Sequence, residues 1–158
     1  MSLHHLLRRR AAAEGPIRVG LIGAGKFGSM FLNQVPTMPG VEVAAIADLD
    51  PKRARGACET VGWDAQRVAR TRFTASGIEL CADPEVEVVV EATGSPAAGI
   101  AHARAAIAAG RHMVMVNVEA DVLAAPLLAE DARRNAQTEQ TFAADLRLKN
   151  PRENCAET

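Results

Sequence analysis

The sequence predicts an α/β fold: a single domain built on a doubly wound parallel sheet. Three observations carry this. Apolar, β-rich runs at Ile17–Ile22, Val41–Asp48, Val86–Gly94 and His112–Ala120 alternate with segments of helical composition. The intervening segments are long enough to cross over a sheet, which makes the strands parallel and the crossovers right-handed. The runs are also apolar almost throughout, as expected of strands covered on both faces.

Taken in order, "MSLHHLLRRRAAAEG" (residues 1–15) reads as a short capping helix that ends at Gly15-Pro16, with Arg8, Arg9 and Arg10 on its solvated face. Its leucines and arginines resemble a targeting segment, but it lacks the apolar core of a signal peptide and carries Glu14 just before the first strand. After the first strand, Lys26–Val35 is helical and stops near Pro36. The second strand leads to Asp50-Pro51, an aspartate at N-cap followed by proline in the first turn, opening a helix to about Thr60 with Gly62 beyond. Residues 63–84 are weakly patterned: "RTRFT" (70–74) reads as a short strand and "SGIELCAD" (76–83) as a turn of helix. Ser95-Pro96 caps an alanine-rich helix to Ala109, with Gly110 as its stop. The strand His112–Ala120 precedes a helix at Asp121–Asn135. The domain is therefore placed at 16–135, and the polar segment 136–158 is expected to fade from helix into partial disorder.

Composition narrows the function classes. The chain has 158 residues, 48% hydrophobic and 23% charged, which is globular and sufficient for a real core. A formal net charge of -1 gives no electrostatic footprint for nucleic acid or an anionic membrane. No apolar run approaches the roughly eighteen residues of a spanning helix, so a soluble, cytoplasmic protein is expected. Cys58, Cys81 and Cys155 form no CxxC pair, and His4, His5, His102 and His112 lie on different elements. Reduced structural thiols and no metal site follow from that spacing.

The chemistry begins at "IRVGLIGAGKFG". Gly23 permits a tight turn out of the strand, Gly25 lets backbone approach a pyrophosphate, and Gly28 lets the next helix pack on the sheet. The helix beginning at Lys26 turns its unpaired N–H groups and positive dipole end towards phosphate, with Phe27 in the same turn. A GxGxxG alone is weak evidence. Here it follows a strand, opens a helix, and is answered by Asp48 at the end of the next strand, near the spacing of a ribose-binding carboxylate. These features make the sheet Rossmann-type and the ligand a dinucleotide. Asp48 suits the ribose 2′-OH of NAD, whereas Lys52 and Arg53 beside it can compensate the extra phosphate of NADP. Both readings stay open on these residues.

"EATGSP" and "VNVEAD" lie at the carboxyl ends of later strands, the edge where open α/β sheets bind ligands. Thr93 and Gly94 are read as contacts to the nicotinamide half of the cofactor, and Asn117 or Glu119 as lining the substrate side. Glu91 and Glu119 fit equally well as carboxylates capping a neighbouring helix.

The stretches "PIRVGLIGAGKFGSMFLNQ", "GWDAQRVARTRFT" and "VEVVVEATGSPAAGIAHARAAIAAGRHMVMVNVEADVLAAPLLAE" resemble the N-terminal cofactor domain of homoserine-dehydrogenase-like oxidoreductases. Within that group they are most similar to the 1-deoxy-D-xylulose 5-phosphate reductoisomerase-like enzymes and relatives with a C-terminal SAF domain. The resemblance covers roughly residues 15 to 132. It implies an NAD(P)-dependent reductase, with NADP(H) favoured. By position it implies that Gly23, Gly25, Lys26, Phe27 and Gly28 form the phosphate turn and that Asp48 and Leu49 form the adenosine-ribose end. Thr93, Gly94, Asn117, Val118 and Glu119 then fall on the nicotinamide side. The lysine that homoserine dehydrogenases carry after their "VTAN" strand is absent, since Val118-Glu119 follow Asn117. That departure puts homoserine itself in doubt as substrate.

Beyond Asp131 the resemblance stops, where the family continues into a strand and a separate catalytic domain. The expectation is a truncated cofactor-binding domain that is inactive alone, with no catalytic residue assigned. The alternatives are a non-catalytic dinucleotide-binding or redox-sensing module working with a partner chain, and a degenerate protein that keeps the fold without the ligand. An uncovered apolar surface is expected at Val116, Val118, Leu123, Leu127 and Leu128, favouring a homo-oligomer or a separate catalytic chain as partner.

Overall fold

Five short parallel strands form one sheet in the order β3-β2-β1-β4-β5. They are β1 (Ile17–Ile22), β2 (Val41–Ala47), β3 (Arg72–Thr74), β4 (Val88–Glu91) and β5 (His112–Met115). The helices are α1 (Leu3–Glu14), α2 (Lys26–Gln34), α3 (Pro51–Thr60), α4 (Ala65–Arg70), α5 (Gly77–Ala82), α6 (Pro96–Ala108) and α7 (Val118–Arg134). This computed structural model describes residues 2–135. The segment 136–158, with Cys155, lies outside the described residues. The predicted Rossmann-type parallel sheet is what forms.

The sheet is covered on both faces, as its apolar strands require. On one side Leu21, Val43 and Ile46 pack with Leu32 of α2, Ala54 and Cys58 of α3 and Trp63. The Trp63 indole N–H donates to the Leu32 carbonyl at 2.8 Å, so its one polar group is satisfied inside the core. On the other side Ala45, Ala47 and Val89 meet Leu80 and Cys81 of α5 and Ala106 of α6. The small alanines along β2 and α6 let these helices lie close to the sheet. A third cluster joins Ala103 and Ile107 of α6 to Ala124 and Leu128 of α7. Burial pushes the thiols of Cys58 and Cys81 up to about 11, which leaves both protonated and unreactive at neutral pH.

Several boundaries differ from the sequence reading. The fourth strand starts at Val88, because residues 83–86 form a turn closed by Val86 N–H to the Asp83 carbonyl and Glu85 N–H to the Asp83 carboxylate. The fifth strand ends at Met115 instead of Ala120, because the Asn117 side chain accepts from Ala120 N–H and starts α7 at Val118. Helix α4 was not anticipated; at six residues it is too short to show a period, and its one signal is Asp64 as N-cap, accepting from Arg67 N–H at 2.7 Å. In α1, Arg8 and Arg9 are exposed, but Arg10 is half-buried and pairs with Glu87 and Glu14, tying the helix to the start of β4.

The expected apolar surface also changes. Val118, Leu123 and Leu127 are exposed, joined by Val122 and Val114. Leu128 is buried, because Ala120, Ala124 and Leu128 share the helical face turned to α6. Val116 is half-buried against the core.

Candidate functional site

Strand β1 lies between β2 and β4, so the connections leaving β1 and β4 diverge at the carboxyl edge of the sheet. A crevice opens at such a switch point. Here it is a cavity of about 360 Å³, walled by Gly23 and Gly25 after β1, Asp48 and Leu49 after β2, and Thr93 after β4.

The three glycines of the first turn have different duties. Gly23 has φ +96°, and a Cβ there would lie 2.8 Å from the Ala92 carbonyl oxygen. A Cβ on Gly28 would lie 2.2 Å from the Gly23 carbonyl oxygen. Both are demanded by the close approach of backbone to backbone. A Cβ on Gly25 would meet nothing within 4 Å. The space above Gly25 belongs to the crevice. Gly25 is also the N-cap of α2 and offers no side-chain acceptor to the first turn. Among the described residues, every other α-helix has a side-chain cap: Ser2, Asp50, Asp64, Ser76, Ser95 or Asn117. The free N–H groups of α2, with the positive end of its dipole, are thus left for a ligand, and Lys26 and Phe27 stand exposed in the same turn.

Asp48 closes the adenosine end. Its side chain is only 3% exposed. One carboxylate oxygen accepts from Ala24 N–H at 2.9 Å, and the other from Asp50 N–H at 3.0 Å and the Arg53 guanidinium at 2.7 Å. Burial alone would raise its pKa, but these bonds outweigh burial and hold the carboxyl below its ordinary range. The Arg53 side chain is 63% exposed at the cavity wall. Lys52 instead points to solvent, and only its backbone N–H is engaged, by Asp50. Leu49, 95% exposed, forms an apolar lip to the same crevice.

Beyond β4, Glu91 is fully buried and turned inward. Its Oε1 accepts from the N–H and hydroxyl of Thr93 and faces His102 Nδ1 at 3.4 Å. Burial pushes the carboxyl up, yet the bonds from His102 and Thr93 and the nearby Asn117 amide bring it below its ordinary range. Glu91 thereby holds Thr93 against the cavity. Gly94, at φ +71°, has open space where a side chain would stand. Asn117 is buried and spends both ends of its amide inside the protein, donating to the Ser95 carbonyl at 2.8 Å and accepting from Ala120 N–H at 3.1 Å. Val118 and Glu119 are exposed in the first turn of α7. The crevice therefore brings together Gly23, Gly25, Asp48, Leu49, Arg53 and Thr93; Lys26, Phe27, Gly28, Lys52, Gly94, Asn117, Val118 and Glu119 do not line it. It also recruits Ala75, Gly77, Ala98 and His102, which sequence reasoning missed.

Residues 17–117 match the model of the oxidoreductase family with an NAD-binding Rossmann fold. The chain belongs to this family. No curated protein matches it. Among solved structures, it is similar to an NAD binding oxidoreductase from Klebsiella pneumoniae, with 27% identity and a TM-score of 0.61, over 77% of this chain and 32% of that one. The same fold recurs in a homoserine dehydrogenase from Thiobacillus denitrificans, at 22% identity and TM-score 0.65, covering 77% and 28% of the two chains. It recurs again in a Synechocystis biliverdin reductase solved with biliverdin and NADP+, at 23% identity and TM-score 0.62, covering 77% and 36%. The chain thus spans about a third of the length of these structures. The uncapped α2 and the vacant space over Gly25 fit the family's dinucleotide cofactor. No helix among the described residues is long and apolar enough to cross a membrane.

Proposed function

We propose that this domain holds NADP(H) for a homoserine-dehydrogenase-like oxidoreductase, and that it turns over only together with substrate-holding groups of a further domain or a partner chain. The observation that carries the reading is the N-terminus of α2, left uncapped beneath the open space at Gly25. When bound, the nicotinamide supplies or accepts the hydride; the residues described here bind and orient it. The α2 amides take the pyrophosphate. Thr93, whose hydroxyl and backbone N–H are both given to Glu91, is fixed in the cavity wall after β4 and shapes the crevice on the side assigned to the nicotinamide half.

The preference for NADP(H) rests on Asp48 and Arg53. Asp48 already accepts three hydrogen bonds and is almost wholly buried, so little of it remains for a ribose hydroxyl. Arg53 is anchored on it through one guanidinium nitrogen with 63% of its side chain exposed, a fork suited to a 2′-phosphate. The apolar face of α7 (Val118, Val122, Leu123, Leu127) supports association with a further protein surface, in this chain's oligomer or on a separate catalytic chain.

Calorimetric titration of the wild type and Arg53→Ala with NADPH and NADH tests the cofactor assignment. The wild type binds NADPH more tightly, and Arg53→Ala weakens NADPH on the order of tenfold, the value of one charge-assisted contact, while leaving NADH little changed. Equal loss for both ligands contradicts the role given to Arg53.

A further inference from the structure

Strand β5 is one edge of the sheet, and among the described residues no strand pairs with its outer side. The N–H groups of His112 and Val116 go inward, to the carbonyls of Glu87 and Glu91 on the β4 side. Backbone groups alternate along a strand, so the N–H and C=O of Met113 and Met115 point outward. Sheet edges are commonly guarded by lysine, proline or a bulge. The edge "HMVM" has none of these.

A groove of about 310 Å³ runs beside this edge, between α6, β5 and α7. Ile107, Met113, Met115, Ala125 and Ala129 give it an apolar lining. On α7, Ala125 and Ala129 share a face with Val118 and Val122, which are 66% and 79% exposed. That face is distinct from the one through Ala120, Ala124 and Leu128 that turns to α6. Two opposite charges line the groove, Arg111 just before β5 and Asp121 in the first turn of α7 after it. Among the described residues neither has an ion-pair partner, and the Arg111 Nε is buried without a hydrogen bond.

We infer that the occupant of this edge is a second copy of the chain, seated antiparallel across a two-fold axis that passes near Val114 perpendicular to the sheet. Met113 of one protomer then comes opposite Met115 of its partner. Their outward N–H and C=O groups exchange hydrogen bonds, and the two sheets become one. The two α7 helices lie on the same side of the joined sheet and meet along Val118, Val122, Ala125 and Ala129. Because the paired strands run in opposite directions, Arg111 before one β5 comes beside Asp121 after the other, twice in the dimer. The groove thus carries its own counter-charge at its other end, which makes the surface self-complementary. The inference rests on the association proposed for the α7 face and commits it to this chain; it does not depend on the cofactor.

Sedimentation velocity of the full chain tests it, with circular dichroism to confirm that each variant folds. Wild type is a concentration-dependent dimer. Arg111→Asp and Asp121→Arg each set like charges together twice, and Val122→Lys sets an ammonium into the helix contact. Each weakens dimerisation about tenfold or more. Val122 is exposed, so its variant tests the contact even where a charge reversal disturbs the fold. An equimolar mixture of the Arg111→Asp and Asp121→Arg chains dimerises again, because both contacts then pair opposite charges. Mixing could not restore an ion pair made within one chain. A monomeric wild type overturns the inference, leaving the edge to segment 136–158 or to a different protein, and has no bearing on dinucleotide titration. A dimer that survives all three substitutions overturns it as well, placing self-association on another face. So does a mixture that associates no better than its components.

Discussion

The turn leaving β1 and the turn leaving β5 reach the same edge of one sheet and treat the helix that follows in opposite ways. After β5, Asn117 caps α7 with its own side chain and ties the turn to the Ser95 carbonyl. After β1, Gly25 offers α2 no cap at all, and the space where a side chain would stand is empty. A helix N-terminus satisfied from within serves the fold. One left unsatisfied at the mouth of a crevice is free to serve a ligand, at a stability cost of roughly a few tenths of a kcal/mol for glycine in place of a side-chain cap. The contrast repeats within the first turn, where Gly23 and Gly28 answer to backbone packing and Gly25 answers to the crevice.

The comparison breaks most visibly at Gly28. Alanine there places a Cβ 2.2 Å from the Gly23 carbonyl oxygen and 3.1 Å from its carbon, backbone atoms that cannot swing aside as a side-chain end would. Gly28→Ala should lose on the order of 3 kcal/mol of stability, measured by urea denaturation. Asn117→Ala comes next. Loss of the cap and of the bond to Ser95 should cost about 1–2 kcal/mol by the same measurement, with dinucleotide affinity little changed. A marked drop in affinity at unchanged stability would move Asn117 from the fold to the ligand.

Glu91 gives the smallest effect and one with a sign. Its carboxyl is held below its ordinary range in the folded protein, so its contribution is complete above the unfolded pKa and is lost as pH falls through the folded value. The stability of the wild type should therefore decline on acidification below about pH 4.3, the ordinary value of a glutamate. Glu91→Gln, which cannot titrate, should show a shallower decline across the same window. Parallel acid limbs would mean that Glu91 is not linked to folding in this way.

Much of the fold was legible because its punctuation is local. Asp50-Pro51 and Ser95-Pro96 start α3 and α6 where expected, and Gly23, Gly25 and Gly28 mark the turn into α2. The reading failed where one side chain decided between two backbone states. Val116 and Val118 prolong an apolar run, and only the Asn117 cap ends the strand between them. On the site, Asp48 and Arg53 were visible as a pair of opposite charges. What their spacing did not show is that three donors already occupy Asp48 while Arg53 stays exposed. His102 was invisible for a different reason. It sits in an alanine-rich helix far along the chain from Gly77 and Asp48, and only the packing of α5 on α6 brings it to the crevice.

The most direct test of the central claim is a calorimetric titration of wild type and Gly25→Val with NADPH, alongside thermal unfolding of both proteins. The valine side chain would enter the space assigned to the pyrophosphate, and its Cβ meets no heavy atom of the fold within 4 Å. The account predicts a wild type that binds and a variant that does not, with closely similar unfolding temperatures. A variant that binds as well as the wild type, or a wild type that binds no dinucleotide, would contradict it.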